Sequence, residues 1–299
     1  MPKRLLLSFS FGETSAFMTK WMLDNKRHEY DEIKVVVANT GQENEESLVF
    51  GDLCDKHFGF DLVWVEAQIN TSDRKNSSFK IVDFESADRE GKVFEKMIQA
   101  YGIPNPDWLH CTRELKTRPI TKYLRSIGWE AGSYDTAIGI RADEIDRINP
   151  NAKESRLLYP LITDIEMTKP RVNNFWRNQP FRLNLKGYQG NCKWCWKKSL
   201  RKHLTLISEN PEQYDFPERM ESIYSHINPE SKKGDKHEDR VFFREKMSTK
   251  DLRKIAAKGG FAPASDDAQV YEDQQSFDFN LDENVGCHGS CEIDFTELD

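Results

Sequence analysis

Three short apolar runs alternate with two helical patterns in the first 67 residues, and this alternation restricts the fold more than any other feature. Leu5, Leu6 and Leu7 form the first run, "IKVVVANTG" (33–41) the second and "DLVWVEA" (61–67) the third. Between them, Phe17, Met18, Trp21 and Met22 recur on one helical face, and 43–59 is a helical stretch that opens with acidic residues. A strand–helix–strand–helix–strand order calls for a parallel sheet with right-handed crossovers and helices on its faces. The expected fold is therefore α/β, a doubly wound, mostly parallel, Rossmann-like sheet. Farther on, "PITKYLRSIG" (119–128) has the proline start and glycine end of a helix. "SYDTAIGI" (133–140) is a further strand, with the charged "RADE" after its carboxyl end, the edge where open α/β sheets bind ligands. Residues 70–107 are polar, with one helix expected around Val93–Tyr101.

The first connection, "SFSFGETSAF" (8–17), places small hydroxyl residues and a glycine where a strand hands over to a helix. Thr14 or Ser15 is the expected N-cap. Such a turn aims N–H groups and hydroxyls at an anion, although an ordinary strand-to-helix connection has the same outline.

The chain has 299 residues, 37% hydrophobic and 31% charged, and no apolar run of membrane-spanning length. With no apolar segment behind its charged start, it is expected to be cytoplasmic and without a membrane partner. Its net charge of −7 means that a nucleic-acid partner would need a local basic patch. The composition changes near residue 206, which suggests a domain over 1–205 and a helical, irregular extension over 206–299. "STKDLRKIAAKGG" (248–260) is a capped helix, and the acidic stretch 264–285 is expected to be mobile.

Six motifs in order resemble the phosphoadenosine phosphosulfate (PAPS) reductase family: "LLLSFSFGETSAFM", "VVVANTGQENEESLVF", "CTRELKTRP", "AIGIRADE", "LLYPL" and "GYQGNCKWC". That family lies in the adenine nucleotide α-hydrolase-like, or PP-loop, superfamily, and the match spans roughly residues 4 to 205. The resemblance implies that Ser8, Ser10, Gly12, Thr14 and Ser15 cradle phosphate, that Asn39, Thr40 and Gly41 form the turn beside the nucleotide, and that Arg141 and Asp143 act on its phosphate side. Two positions depart from the superfamily pattern. Phe11 replaces the first loop glycine, as in a variant found among sulfonucleotide reductases. Glu13 puts a carboxylate where many relatives have a non-acidic residue.

Of the six cysteines, Cys54 suits a buried helix face. Cys192 and Cys195 form a C-x-x-C pair that is compatible with redox chemistry, zinc or a cluster. The resemblance implies a [4Fe–4S] cluster on Cys111, Cys192 and Cys195, with zinc as the alternative and His110, Cys287 or Cys291 as the fourth ligand. Cys287 is the chosen fourth ligand and Cys291 a catalytic thiol. Around the pair, the basic and aromatic residues from Lys193 to His203 form either a nucleic-acid strip or a solvated helix face.

The expected activity is attack at the α-phosphate of ATP, with magnesium, releasing pyrophosphate and coupled to sulfur transfer from a donor protein. One alternative is a thiol-dependent PAPS or APS reductase. The other is a non-catalytic nucleotide or nucleic-acid binding module with a structural metal.

Overall fold

The computed structural model describes residues 2–73, 77–227 and 239–272. The expected runs are strands: β1 (Arg4–Phe9), β2 (Glu32–Asn39), β3 (Leu62–Gln68) and β5 (Tyr134–Ala137), with a two-residue β6 (Leu157–Leu158). These five are parallel, and β4 (Ser78–Val82) runs antiparallel along β3, giving the order β4-β3-β2-β1-β5-β6. The chain winds outward from β1 to β3 and then returns to the other side of β1. The switch point is therefore at the carboxyl ends of β1 and β5. The fold is α/β, a six-stranded, mostly parallel sheet flanked by helices, and is compatible with a Rossmann-like arrangement.

Both faces of β1 are covered, which explains its continuous run of leucines. Leu5, Leu7 and Phe9 pack with residues of α1 (Glu13–Asn25), α2 (Glu45–Phe58) and α7 (Lys169–Arg177). Leu6 packs on the other face with Ile120, Tyr123 and Leu124 of α5 (Arg118–Ser126). Cys54 is buried in the first of these cores, as expected. α2 ends at Gly59, whose φ of 64° is the left-handed conformation that closes a helix. α3 (Lys92–Tyr101) is where the sequence places it, and the short α4 (His110–Thr112) runs through a π-type turn at Arg113–Thr117 into α5. α6 (Pro160–Thr163) precedes α7. α8 (Leu200–Glu209), α9 (Asp215–Tyr224) and α10 (Thr249–Lys258) follow, with Ser248 and Asp251 forming a capping box on α10.

Three expectations change. β4 was not anticipated: it is an edge strand, and Ile81 on it is 62% exposed, so it carries no burial pattern to detect. α1 is capped by Gly12 rather than Thr14 or Ser15. The chain turns early because Phe11 takes a φ of 59°, and the Ser15 hydroxyl is spent on the Gly12 carbonyl at 3.0 Å. Residues 264–272 do not hang loose either. Thr205 accepts the Ala264 N–H at 2.9 Å, and Asn173 donates to the carbonyls of Asp267 and Val270 at 3.0 and 2.7 Å. The rest of the acidic stretch, with Cys287 and Cys291, lies outside the described residues.

A second core joins Val93, Phe94 and Met97 to Leu206, Tyr214, Met220, Phe242 and Leu252, so the residues after 205 pack with those before them. Among the described residues no helix is long and apolar enough to cross a membrane. His203 is buried beside this core, with Nδ1 2.7 Å from the Tyr214 hydroxyl. Burial, and then Lys198 and Arg244, push its pKa well below 6.5. The unfolded chain therefore takes up a proton that the folded chain refuses. Its contribution to stability is full above about pH 6.5 and is lost as pH falls toward the depressed value, at up to about 1.4 kcal/mol per pH unit. His203→Asn, which keeps an acceptor for Tyr214, should flatten that acid limb in urea titrations; an unchanged limb would show that another group sets it.

Candidate functional site

The β1–α1 loop sits at the switch point, and its shape starts with Phe11. Its buried ring lies 4.7 Å from that of Trp64 and fills the space that a Cβ at Gly51 would invade, 2.6 Å away. Anchored there in a left-handed turn, the chain enters α1 with Gly12 accepting the Ala16 N–H at 3.0 Å. Helix geometry leaves the first-turn N–H groups at Glu13, Thr14 and Ser15 without intrahelical acceptors. Ser15 also accepts from the N–H and hydroxyl of Ser10, at 3.1 and 3.0 Å, which closes the loop on itself.

Arg141, just beyond β5, is buried against this loop. Its Nε and Nη2 hold Asp143 at 2.9 and 3.1 Å, and Nη1 donates to the Thr14 hydroxyl at 3.2 Å. Nη1 is also 3.2 Å from Glu144. The fork is the one that matches phosphate oxygens, so an incoming phosphate would compete with Asp143 for it. Gly139, two residues earlier, lets β5 come close: a Cβ there would sit 3.0 Å from Cα of Ser15.

Ser10, Gly12, Thr14, Ser15 and Arg141 line one cleft together with Glu13, Lys169, Lys186 and Asn191. Glu13, only 7% exposed, meets Arg182 at 3.1 and 3.2 Å. Burial raises its pKa, against the opposing pull of Arg182 and Lys169. Arg182 is itself fixed by the Tyr271 hydroxyl at 3.0 Å and the Ala268 carbonyl at 2.8 Å. The carboxylate at the Glu13 position is thus answered by a cation from far along the chain. Lys169, Arg182, Lys186 and Asn191 escaped the sequence reading. The proline after Lys169, at the start of α7, was the one local sign of a second helix start at the cleft.

The other expected nucleotide contacts do not line this cleft. Ser8 is buried within β1. Asn39 donates to Glu66 at 2.6 Å and to the Asp88 carbonyl at 2.9 Å, and the Thr40 hydroxyl donates to Glu43 at 2.8 Å. Gly41 has a φ of 79°, and a Cβ there would meet Asp88 at 2.4 Å. The triplet shapes a rigid turn, and that turn holds the C-x-x-C segment. Lys193 donates its N–H to the Gln42 carbonyl at 3.0 Å, Asn44 to the Asn191 carbonyl at 2.8 Å, and Trp194 its indole N–H to Gln42 at 2.6 Å. Asn191 in turn donates to the Ser10 carbonyl, which joins this segment to the β1–α1 loop.

Cys192 and Cys195 are thiols near Tyr214, whose pKa rises first through burial and then through both sulfurs. Cys111 packs at the margin of the second core. Among the described residues no three His, Cys, Asp or Glu side chains assemble as a metal site. Cys287 and Cys291, the other expected thiols, lie outside the described residues. In the basic-aromatic strip, Trp194, Trp196, Lys198, Lys202 and His203 are all buried, so the tryptophan faces serve the core.

No family model matches the chain. Across 98% of its length it is similar, at 28% identity, to an uncharacterized nin region protein, ORF290, of Escherichia phage lambda, and it covers 96% of that protein.

Proposed function

We propose that this chain binds the phosphates of an adenine nucleotide at the β1–α1 loop and activates ATP at its α-phosphate, releasing pyrophosphate, with sulfur transfer as the coupled step. The observation that supports this best is the convergence of the helix start, the Thr14 hydroxyl, Arg141 and two lysines on one sheet edge. Adenine and sulfur come from the resemblance to the PAPS reductase family.

In this reading the first-turn N–H groups and Thr14 hold phosphate oxygens, Arg141 trades Asp143 for the phosphate, and Lys169 and Lys186 supply charge at the mouth of the cleft. An acceptor attacks the α-phosphorus in line while the bond to the pyrophosphate oxygen breaks. Positioning and charge stabilisation supply the rate. Glu13 is held by Arg182, so magnesium would enter on the nucleotide's own phosphates, beside the Asp143 carboxylate that Arg141 gives up. No step is routed through a cluster.

The test is to offer ATP and PAPS separately, each with a dithiol as the two-electron reductant, and measure nucleotide binding, pyrophosphate and sulfite. Pyrophosphate from ATP is expected. Sulfite from PAPS would replace this reading with the reductase, and binding with neither product would leave a binding module. Lys169→Ala should raise the nucleotide Kd about tenfold, the scale of one charge-assisted hydrogen bond. Unaltered affinity in that variant would remove Lys169 from the site.

A further inference from the structure

A second cavity lies beyond the C-x-x-C segment, between the start of α8 and the loop that precedes α10. Lys198, Ser199, Leu200, Arg201, His203 and Arg244 line it, with Phe243, Glu245 and Met247. Lys198 is unusual: it is 2% exposed, and its ammonium donates to the carbonyls of Cys192 and Lys193. Among the described residues no carboxylate pairs with it. Buried cations ordinarily have an anionic partner, because carbonyl dipoles replace only part of the lost hydration.

Arg244, on the same cavity, likewise has no carboxylate partner among the described residues. Its Nη2 donates to the Lys197 carbonyl at 2.8 Å, which holds it beside Lys198. Both cations depress the His203 pKa, so both act on the space around that ring. His203 is also 2% exposed; Nδ1 faces Tyr214, and Nε2 has no hydrogen-bond partner. The carbonyls of Trp196 and Lys198 lie against the ring and partly offset the depression. A neutral imidazole of this kind offers its Nε2–H to an acceptor when Nδ1 accepts the Tyr214 O–H.

Backbone donors complete the set. Ser199 caps α8 by accepting the Lys202 N–H at 3.4 Å, and helix geometry leaves the N–H groups of Leu200 and Arg201 without intrahelical acceptors. Opposite them, Glu245 and Lys246 take φ values of 57° and 56°, two consecutive left-handed residues that are not glycine. Such backbone persists where the surroundings impose it.

We infer that this cavity is a binding site for a tetrahedral oxyanion, a phosphate group, held by Lys198, Arg244, the imidazole of His203 and the first turn of α8. It is separate from the β1–α1 cleft and stands whether or not that cleft binds nucleotide. It also gives the basic stretch from Lys193 to His203 a different role from base stacking: capture of one phosphate, either free inorganic phosphate or the terminal phosphate of a nucleic acid.

Tungstate, a tetrahedral oxyanion with a strong anomalous signal, tests the site in crystals of the full chain. A peak is expected within hydrogen-bond reach of Lys198 Nζ and the Leu200 and Arg201 N–H groups, and Arg244→Gln should lower it by roughly half or more. A peak in the β1–α1 cleft would be distinct by position. In solution, inorganic phosphate should raise the melting temperature relative to chloride at equal ionic strength. That rise should survive Thr14→Ala and be lost in Arg244→Gln. If a 5′-phosphorylated tetranucleotide binds about tenfold more tightly than both inorganic phosphate and its unphosphorylated twin, the phosphate arrives on a nucleic-acid end; equal affinity with inorganic phosphate assigns the free ion. An empty cavity at high tungstate, or the same thermal rise in Arg244→Gln as in the parent, would overturn the inference.

Discussion

Arg182→Met should cost the nucleotide site about a hundredfold in affinity at neutral pH, and the fold about 3–5 kcal/mol, the usual loss when one partner of a buried ion pair is removed. The cause is Glu13. With Arg182 present, its carboxylate is neutralised at 3.1 and 3.2 Å; without it, the same carboxylate faces an incoming phosphate across the first turn of α1. The Glu13 pKa, already raised by burial, would rise further. An acid whose folded pKa is raised costs the fold stability as pH climbs from its unfolded pKa to the raised one, and the full cost remains above it. The Arg182→Met defect should therefore be largest at high pH and shrink as pH falls. Glu13→Gln/Arg182→Met should recover most of both losses. Equilibrium dialysis with ATP and urea titrations at two pH values would check this. A double variant no better than the single one would mean that Arg182 acts through Tyr271 and Ala268 instead.

Gly139→Val is expected to abolish nucleotide binding while leaving a folded, weakened protein. The added Cβ would meet backbone atoms of Ser15 at 3.0 and 3.2 Å, and those atoms cannot rotate out of the way as a side-chain tip can. α1 would have to retreat, carrying the Thr14 hydroxyl away from Arg141, now 3.2 Å apart. Overpacking of this kind costs about 1–3 kcal/mol in stability. The affinity loss should be far larger, because phosphate needs all of its donors in register. Gly139→Ala should fall between. Parent-like affinity in the valine variant would show that the α1 start is not where phosphate binds.

The legible parts of this molecule were those whose physics is local. Leu5–Leu7 and Val35–Val37 announced strands because both of their faces are covered, and Gly59 and Ser248 marked helix ends through backbone conformation and capping. Ser10, Thr14 and Arg141 were found through the resemblance and do share a cleft. Asn39 and Thr40 belong to the same motif order, yet their side chains turn inward to Glu66 and Glu43, a choice that depends on partners distant in sequence or on loop geometry. Arg182 was invisible for a stronger reason: its meaning exists only once residue 13 is beside it, and no periodicity or spacing links positions 169 residues apart. The edge strand β4 was missed because an exposed strand has no pattern to match.

The docking of residues 264–271 over Arg182 has a consequence for synthesis. A chain emerging from the ribosome presents the β1–α1 loop, with Glu13, well before Arg182. At that point the Glu13 carboxylate has no guanidinium beside it. The compensating guanidinium appears 169 residues later, and Tyr271, which steadies it, a further 89 residues on. At elongation rates of about 5–20 residues per second, tens of seconds at the slow end separate the making of the loop from the completion of its electrostatics. The charge balance of this cleft is therefore completed only when Tyr271 has been made, long after the loop that needs it.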